Sequence, residues 1–472
     1  MTIRKRRTGS EKDTPNMPKE LRGFIAELEA KSPEDLARVT KRISARYEIS
    51  ALLTHLEKKK RFPLLCFETV EGGRAPVVIN AQASRRLMAM ALECEPHELA
   101  RRFSERQARP IAPVEVSQGP VHEVIRLGDE VDLRGIPLLT HYDVNAAPYI
   151  TAGIVVAADP DTGVRNTSYN RLMMAGKREL RIFMAIGRHL WTLHNKLESR
   201  NEPLPIAIVI GVHPLFSLGA QALTPADEDE YAVIGGMMKE SLRVVNGVSV
   251  PILVPADAEM IIEGKILPHV RGIEGPFGEF TGHAVDSDDR QVIEVTAVTH
   301  RKGYIFQDIH AGYTEHKLMG AVPREAALLK AVRQTVPTVK NVCMPVSGNC
   351  RFHAYISIAK RAPGQAKNAI CAAFAADMLL KHVVVVDDDI DVFDEERVLW
   401  AISNRFQADR GLVVIANAQG SELDPSAGPG GINAKMGLDA TKPLGDFPAE
   451  LRVPDEVMRR IRLEDFLPKL AK

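Results

Sequence analysis

At 472 residues, with 61 basic and 61 acidic side chains, the chain is neutral overall and long enough to bury at least two cores. The balance excludes the broad cationic footprint of a nucleic-acid binder, and no apolar run approaches the roughly 18 residues needed to span a membrane. Cys66, Cys94, Cys343, Cys350 and Cys371 form no Cys-x-x-Cys pair, which fits a reducing compartment and no structural zinc. The charged N-terminus lacks the apolar centre of a signal peptide, so a cytoplasmic location is expected.

Residues 1–18 are polar and basic and are expected to be disordered. The basic runs 4–7 and 58–61 read as a frayed terminus and a solvated face. From Pro18 to about Lys60, the apolar residues Leu36, Val39, Ile43, Tyr47 and Ile49 predict helices. Short strands are expected at 64–67 and 76–79, and one amphipathic helix over 85–103 ahead of a proline-containing linker at 110–113. Residues 19–114 therefore form an N-terminal α/β region.

From 115 to 321 the signal is mainly strand, with segments at 149–157, 167–174, 180–186, 206–212 and 292–299. The turn at 159–163 reads as a hairpin. Closely spaced strands with few long helices predict a split antiparallel β-barrel or curled sheet. A connector helix over 322–337 opens near Pro323, at a position where helices tolerate proline. Residues 338–472 alternate strand and helix: strand 352–358, helix 365–380, strand 383–386, helix 395–405 and strand 412–415. That is the βαβ pattern of a parallel sheet, giving a C-terminal α/β domain within an α+β chain.

Three constellations could carry chemistry. Asn166, His189 and Glu230 offer an amide oxygen, an imidazole and a carboxylate, a set that suits a hard divalent cation such as Mn²⁺ or Mg²⁺ better than zinc or copper. Three such ligands leave coordination positions open, so the cation could bridge the phosphate of a cofactor. In Glu274-Gly-Pro-Phe-Gly-Glu279, glycine and proline exclude a regular helix or strand and let both carboxylates turn into one pocket. With Arg171 beside them their roles could divide, one carboxylate held ionised and the other kept protonated as a donor. His316 and Arg324, just before and on the connector helix, could bind a polar or anionic group of a substrate; helix-end charges facing water are the plainer reading. Asp387-Asp-Asp-Ile-Asp391 follows a strand and reads as loop capping rather than a metal site. Gly428-Pro-Gly-Gly431 lacks the spacing of a nucleotide cradle, and no Gly-x-Ser-x-Gly is present.

With these pieces in order, the chain resembles the UbiD-like decarboxylases that depend on prenylated FMN. The resemblance rests on Asn166-Thr-Ser-Tyr-Asn-Arg171, Arg188-His189, Glu230-Tyr-Ala232, Glu274-Gly-Pro-Phe-Gly-Glu279-Phe-Thr-Gly282, Gly364-Gln-Ala-Lys367, Asp387-Asp-Asp-Ile-Asp391 and Lys435-Met-Gly-Leu-Asp-Ala440. It implies that Asn166, His189 and Glu230 hold a divalent metal, usually manganese, against the cofactor phosphate. Potassium is implied nearby, held partly by main-chain oxygens. The implied cofactor cradle is Asn166, Thr167, Ser168, Tyr169, Asn170 and Arg171, with Arg188, His189, Glu230 and Lys367. The implied acid–base network is Glu274, Arg171 and Glu279, complete here. In the family the prenylated flavin forms a covalent cycloadduct with the substrate and becomes the electron sink. Arg171 would hold the departing carboxylate and restrain Glu274, while Glu279 would protonate the carbon that lost CO₂.

The resemblance also implies a flavin prenyltransferase as cofactor supplier, a reaction reversible at high CO₂, and a homodimer or assembly of dimers built on the C-terminal domain. The segment Glu315-His-Lys-Leu-Met-Gly-Ala-Val-Pro-Arg324 resembles the subgroup acting on heteroaromatic acids such as furan dicarboxylates. His316 and Arg324 would then line the substrate pocket, Arg324 through a bidentate grip. The expected substrate is an aromatic or heteroaromatic acid, with furan-, pyrrole- and dicarboxylic types included. Phenolic acids and aryl-CoA thioesters stay open. Two other readings compete: a flavin-binding oxidoreductase with a reductase-like barrel, which would not need the Glu–Arg–Glu set, and a non-catalytic subunit of a decarboxylase complex.

Overall fold

The computed structural model describes residues 18–467. Most of the N-terminal segment expected to be disordered lies outside that range. The helix Leu21–Lys31 buries Leu21, Phe24, Ile25 and Leu28. The stretch from Leu36 to Ser44 is not helical as its spacing predicts. Leu36–Val39 pairs in parallel with Leu64–Phe67, Ile43–Ser44 pairs in parallel with Val70–Glu71, and helix resumes only at Glu48–Lys58. Neighbouring strands recruit this short segment, and pairing outweighs an ambiguous periodicity.

The N-terminal sheet runs Leu36–Val39, Leu64–Phe67, Val77–Ile79, Phe306–Gln307, so its last strand returns from the end of the central region. The single helix expected over 85–103 is divided into Arg85–Leu92 and Leu99–Gln107. The first is capped by Ser84, whose hydroxyl accepts from Leu87 N–H at 3.1 Å, and ends at Glu93 in the left-handed region. Pro96 then opens a 3₁₀ turn, because proline cannot donate within a continuing helix.

The centre is a nine-stranded curled antiparallel sheet. Its path is Arg165–Tyr169, Ile154–Ala158, Leu204–Ile210, Met260–Glu274, Asp288–His300, Glu179–Ile182, Leu172–Met174 and Tyr149–Ile150. Val124–Leu127 pairs with the far half of Asp288–His300. Register shifts between the two longest strands, at Glu263/Gly264 and Ile266/Arg271, bend the sheet into a half-barrel. The expected hairpin joins Ile154–Ala158 to Arg165–Tyr169, with Asp159 Oδ1 accepting from Asp161 N–H at 2.8 Å. Two helices that strand patterning did not suggest, His189–Glu198 and Glu230–Met238, pack in this region.

The connector comprises Thr314–Met319 and Ala321–Thr335, with Pro323 inside the first turn of the second helix. Beyond it lies a five-stranded sheet in the order Val339–Cys343, His353–Ile358, His382–Asp387, Ile432–Asp439, Leu412–Gln419. Only the three central strands are parallel. Both edges pair antiparallel, so the expected all-parallel sheet is corrected to a mixed one. Val339–Cys343 enters straight from the connector, and a hairpin joins the last two strands, so neither edge needs a crossover helix. In the Asp387–Asp391 run, Asp387 and Asp389 pair with Arg405, at 3.0 and 2.9 Å, and Lys442 Nζ lies 2.7 Å from Asp389. One apolar core joins Phe24 of the first helix, Val322 and Leu329 of the connector and Ile356 and Val383 of the C-terminal sheet; a second lies under the barrel. Among the described residues no helix is long and apolar enough to cross a membrane.

Candidate active site

Glu274 is the last residue of the long strand Met260–Glu274, and Phe277–Gly278 starts a short hairpin with Ala284–Val285. Gly275 between them has a φ of +95°, a conformation that glycine adopts at no steric cost. Part of the segment is thus regular strand. The break lies only at Gly275 and Pro276, and it brings Glu279 back towards Glu274.

Arg171 occupies the step between Arg165–Tyr169 and Leu172–Met174 and meets both carboxylates. Its Nε donates to Glu274 Oε1 at 2.9 Å, Nη2 to Glu274 Oε2 at 2.7 Å and Nη1 to Glu279 Oε1 at 2.5 Å. Tyr149 O–H donates to Glu274 Oε1 at 3.1 Å, and Phe280 N–H donates to Glu279 Oε2 at 3.1 Å. The guanidinium lies over the rings of Phe183, at 4.4 Å, and Phe277, at 5.0 Å. Burial alone would lower the Arg171 pKa, but hydrogen bonds and charge from both glutamates outweigh it, so the group is held more firmly protonated. Burial raises the Tyr149 hydroxyl, and the Glu274 charge adds to the rise.

Arg171 and Glu279 form one wall of a cavity of about 200 Å³, also lined by Thr151, Ala311 and His316, and Glu274 lies fully buried behind Arg171. His316 Nδ1 accepts from Gly312 N–H at 3.1 Å, which leaves the proton of the neutral ring on Nε2. Burial pushes this imidazole down to about 4, so it is a neutral hydrogen-bond donor near pH 7.

A second cavity of about 670 Å³ abuts the first and shares Tyr169, Asn170, Ala185 and Leu423 with it. It contains Asn166 from a strand, His189 from the start of one helix and Glu230 from the start of another. Asn166 Nδ2 donates to Glu230 Oε1 at 3.1 Å and lies 3.5 Å from His189 Nδ1, while Thr167 N–H and Oγ1 hold Glu230 Oε2 at 2.5 and 2.7 Å. Asn166 Oδ1 is buried and has no hydrogen-bond partner. An orphaned amide oxygen beside a carboxylate and an imidazole is the donor set a hard cation completes. Ile186, 75% exposed, adds an apolar face to the same cavity. Polar groups suited to a cation at one end, and apolar walls that meet the smaller cavity at the other, fit a phosphorylated aromatic cofactor.

Ser168 and Arg188 also line this second cavity. Two expected residues are placed differently. Arg324 lines the larger cavity, with Asn166, His189 and Glu230, rather than the cavity of His316, and its Nη1 is engaged by Asp377 at 2.6 Å. The partner comes from the end of the helix Gln365–Ala376, which local sequence does not reveal. Lys367, expected in the cofactor cradle, sits exposed on the first turn of that helix and lines neither cavity. Tyr149, Thr224 and Arg351 were not expected. Thr224 O–H donates to Glu230 Oε1 at 3.0 Å, and Arg351 lines the second cavity. None belongs to a motif: long-range folding brings in Tyr149 and Arg351, and Thr224 lies six residues ahead of Glu230 in the loop before its helix.

The sequence matches three family models described as the N-terminal, Rift-related and C-terminal domains of 3-octaprenyl-4-hydroxybenzoate carboxy-lyase, over residues 27–107, 113–314 and 317–440. The chain therefore belongs to the UbiD family of prenylated-FMN decarboxylases, and it is a carboxy-lyase. It is 38% identical over 411 residues to an anhydromevalonate phosphate decarboxylase of Methanothermobacter thermautotrophicus, covering 87% of this chain and 95% of that one. The UbiD-class enzyme HmfF from Pelotomaculum thermopropionicum, solved with FMN, superposes with a TM-score of 0.90 at 42% identity, covering 95% of this chain and 100% of that one. An evolved dimeric form of HmfF, solved with prenylated FMN, gives a TM-score of 0.88 at 40% identity over 95% of this chain and 100% of that one.

Proposed function

We propose that this enzyme decarboxylates an aromatic or heteroaromatic acid, of furan, pyrrole or dicarboxylic type, with Glu279 as the proton donor. The observation that carries the reading is the buried Arg171 bound by both Glu274 and Glu279 at the wall of the smaller cavity. Asn166, His189 and Glu230 would hold a divalent cation, usually manganese, against a cofactor phosphate, with potassium nearby. When bound, prenylated flavin supplies the electron sink that an sp² carbanion lacks.

The chain's own residues do the rest. Glu274 takes two guanidinium contacts and a tyrosine hydroxyl, so it orients Arg171 rather than reacting. The Nη1 bound to Glu279 is the edge of Arg171 that a substrate carboxylate can claim. That exchange releases Glu279 Oε1 to carry a proton, and Glu279 delivers it to the carbon that loses CO₂. His316 offers its Nε2–H to a ring heteroatom or carboxylate oxygen. Exposed apolar side chains on the C-terminal hairpin and the segment after it, Val414 at 61%, Leu451 at 97% and Phe466 at 64%, support a homodimer or an assembly of dimers.

A second reading, a phosphorylated unsaturated acid, is favoured by the identity to anhydromevalonate phosphate decarboxylases together with the arginines of the larger cavity. The test is co-expression with a flavin prenyltransferase, then a screen of aromatic, heteroaromatic and phosphorylated unsaturated acids for CO₂ release. Turnover of furan- or pyrrole-type acids supports the first reading, and turnover confined to phosphorylated acids supports the second. No CO₂ from any acid by protein carrying the prenylated flavin would contradict both.

A further inference from the structure

Next to the smaller cavity lies a polar and aromatic cluster that the proposed chemistry does not use. It joins the helix Glu48–Lys58, the loop residues His141 and Tyr142, and the stretch from Asp308 to Tyr313. His141 Nδ1 meets Ser50 Oγ at 2.9 Å, and its Nε2 lies 2.9 Å from Asp308 Oδ2, with both His141 and Asp308 buried. Asp308 Oδ1 accepts from the Thr151 hydroxyl, and Thr151 Oγ1 in turn accepts from Ile309 N–H at 3.0 Å. Among the described residues no set of three His, Cys, Asp or Glu side chains is placed to hold a metal ion, so this cluster is not a second cation site.

Tyr142 is the member that reaches the acid. Its hydroxyl donates to Ala311 O, and a Cβ on Gly278, the residue before Glu279, would lie 2.7 Å from Tyr142 Cδ2. One side chain therefore bears on the main chain at two walls of the cavity. Gly312 leaves no room between them: a Cβ there would meet Glu279 O at 2.9 Å and the Tyr142 hydroxyl at 3.4 Å. The Tyr142 ring is itself held by a stack, with His310 at 5.4 Å and Tyr313 at 4.0 Å beyond His310. Tyr313 is pinned in turn by Thr54 Oγ1 at 2.8 Å from its hydroxyl. Neither nitrogen of His310 has a hydrogen-bond partner, and burial holds this ring neutral, so it packs as an uncharged plate. The consecutive residues His141 and Tyr142 thus hold both ends of a wall segment whose Ile309 and Ala311 line the cavity.

We infer that Tyr142 is a positioning residue for Glu279, clamping the hairpin that carries the acid against the wall formed by residues 309–311. The need for a clamp follows from the contacts of the carboxylate. Once a substrate claims Arg171 Nη1, Glu279 keeps only the hydrogen bond from Phe280 N–H at 3.1 Å, so its reach towards the reacting carbon is set by where the main chain is held. Tyr142 does not line the cavity and acts through Gly278 and Ala311 without touching substrate.

The inference rests on the proposed reading of Glu279 as proton donor, and Glu279→Gln assayed alongside separates the two. Protein co-expressed with a flavin prenyltransferase is assayed on the best acid of the screen. Tyr142→Leu is expected to lower kcat about 100-fold with KM within about threefold of wild type and flavin content unchanged. Tyr142→Phe recovers part of the loss, because the ring still bears on Gly278 while the bond to Ala311 is gone. The solvent deuterium isotope effect on kcat rises in Tyr142→Leu, since proton delivery is the step that slows, whereas a loss of folded protein would leave it unmoved. Gly278→Ala lowers kcat in the wild-type background and costs little more in Tyr142→Leu, where the ring it would strike is absent. Independently of turnover, a crystal structure of Tyr142→Leu is expected to show Glu279 displaced from Arg171 Nη1 while Glu274 keeps its contacts. Glu279 unmoved in that structure, or a kcat loss with the wild-type isotope effect, would overturn the inference. Full turnover in Glu279→Gln would instead sink the donor reading beneath it.

Discussion

His316 shows how one buried side chain can be assigned a state from its neighbours. Gly312 N–H occupies Nδ1, and burial keeps the ring neutral down to about pH 4. The unfolded imidazole protonates near 6.5, so the unfolded state takes up a proton that the native ring refuses as pH falls from 6.5 towards 4. The stability contributed by the neutral ring is fully present above 6.5 and is lost across that window. His316→Asn lacks this term. The stability advantage of wild type over the variant, from denaturant melts at several pH values, is therefore expected to shrink by on the order of 2 kcal/mol between pH 7 and pH 4. An advantage independent of pH would mean that the native ring takes up its proton over the same pH range as the unfolded one.

The residues themselves were legible to different degrees. Arg171, Glu274 and Glu279 come together as expected because they stand in two short polar motifs at strand ends. Arg324 and Lys367 illustrate the limit. Whether a basic residue faces a cavity, a carboxylate or water depends on chain remote in sequence, and Asp377 decides the matter for Arg324.

At the scale of elements, the break after the long strand Met260–Glu274 positions both carboxylates. A Cβ on Gly275 would require a non-glycine residue at a φ of +95° and would approach Asp286 O at 3.1 Å. Gly275→Ala is expected to cost about 1–2 kcal/mol in denaturant unfolding and to lower turnover more than its stability loss explains, because Glu274 and Glu279 shift against Arg171. Full activity in a destabilised variant would show that the pair is placed by other contacts. Strand patterning revealed most of the central sheet, since its apolar runs are bounded by turn residues. The helices His189–Glu198 and Glu230–Met238 escaped notice, the second because it is apolar on nearly every side and shows no helical face. The segment from Leu36 to Ser44 failed in the opposite sense, its helix-like spacing overridden by strand partners far along the chain.

On the scale of the whole molecule, the C-terminal edge is unfinished in a single copy. The strand Leu412–Gln419 has neighbours on one side only, and Val414, Leu451 and Phe466 are largely exposed. Wild type is expected to elute at twice the 52.0 kDa chain mass, or a multiple of it, in size-exclusion chromatography with light scattering. Val414→Glu combined with Phe466→Glu should shift it towards the single-chain mass with little change in the folded protomer, because both side chains face solvent within one copy. A wild-type monomer would contradict this.

The catalytic claim also belongs to this scale, since Glu279 and Arg171 come from segments more than a hundred residues apart. It is tested most directly by comparing wild type with Glu279→Gln, both co-expressed with a flavin prenyltransferase, for flavin content and for CO₂ release from the best acid of the screen. The account predicts equal flavin content and a fall in turnover of about 10²- to 10⁴-fold in the variant, because the amide keeps the shape of Glu279 but cannot deliver its proton. Turnover near wild type with the flavin in place would contradict it.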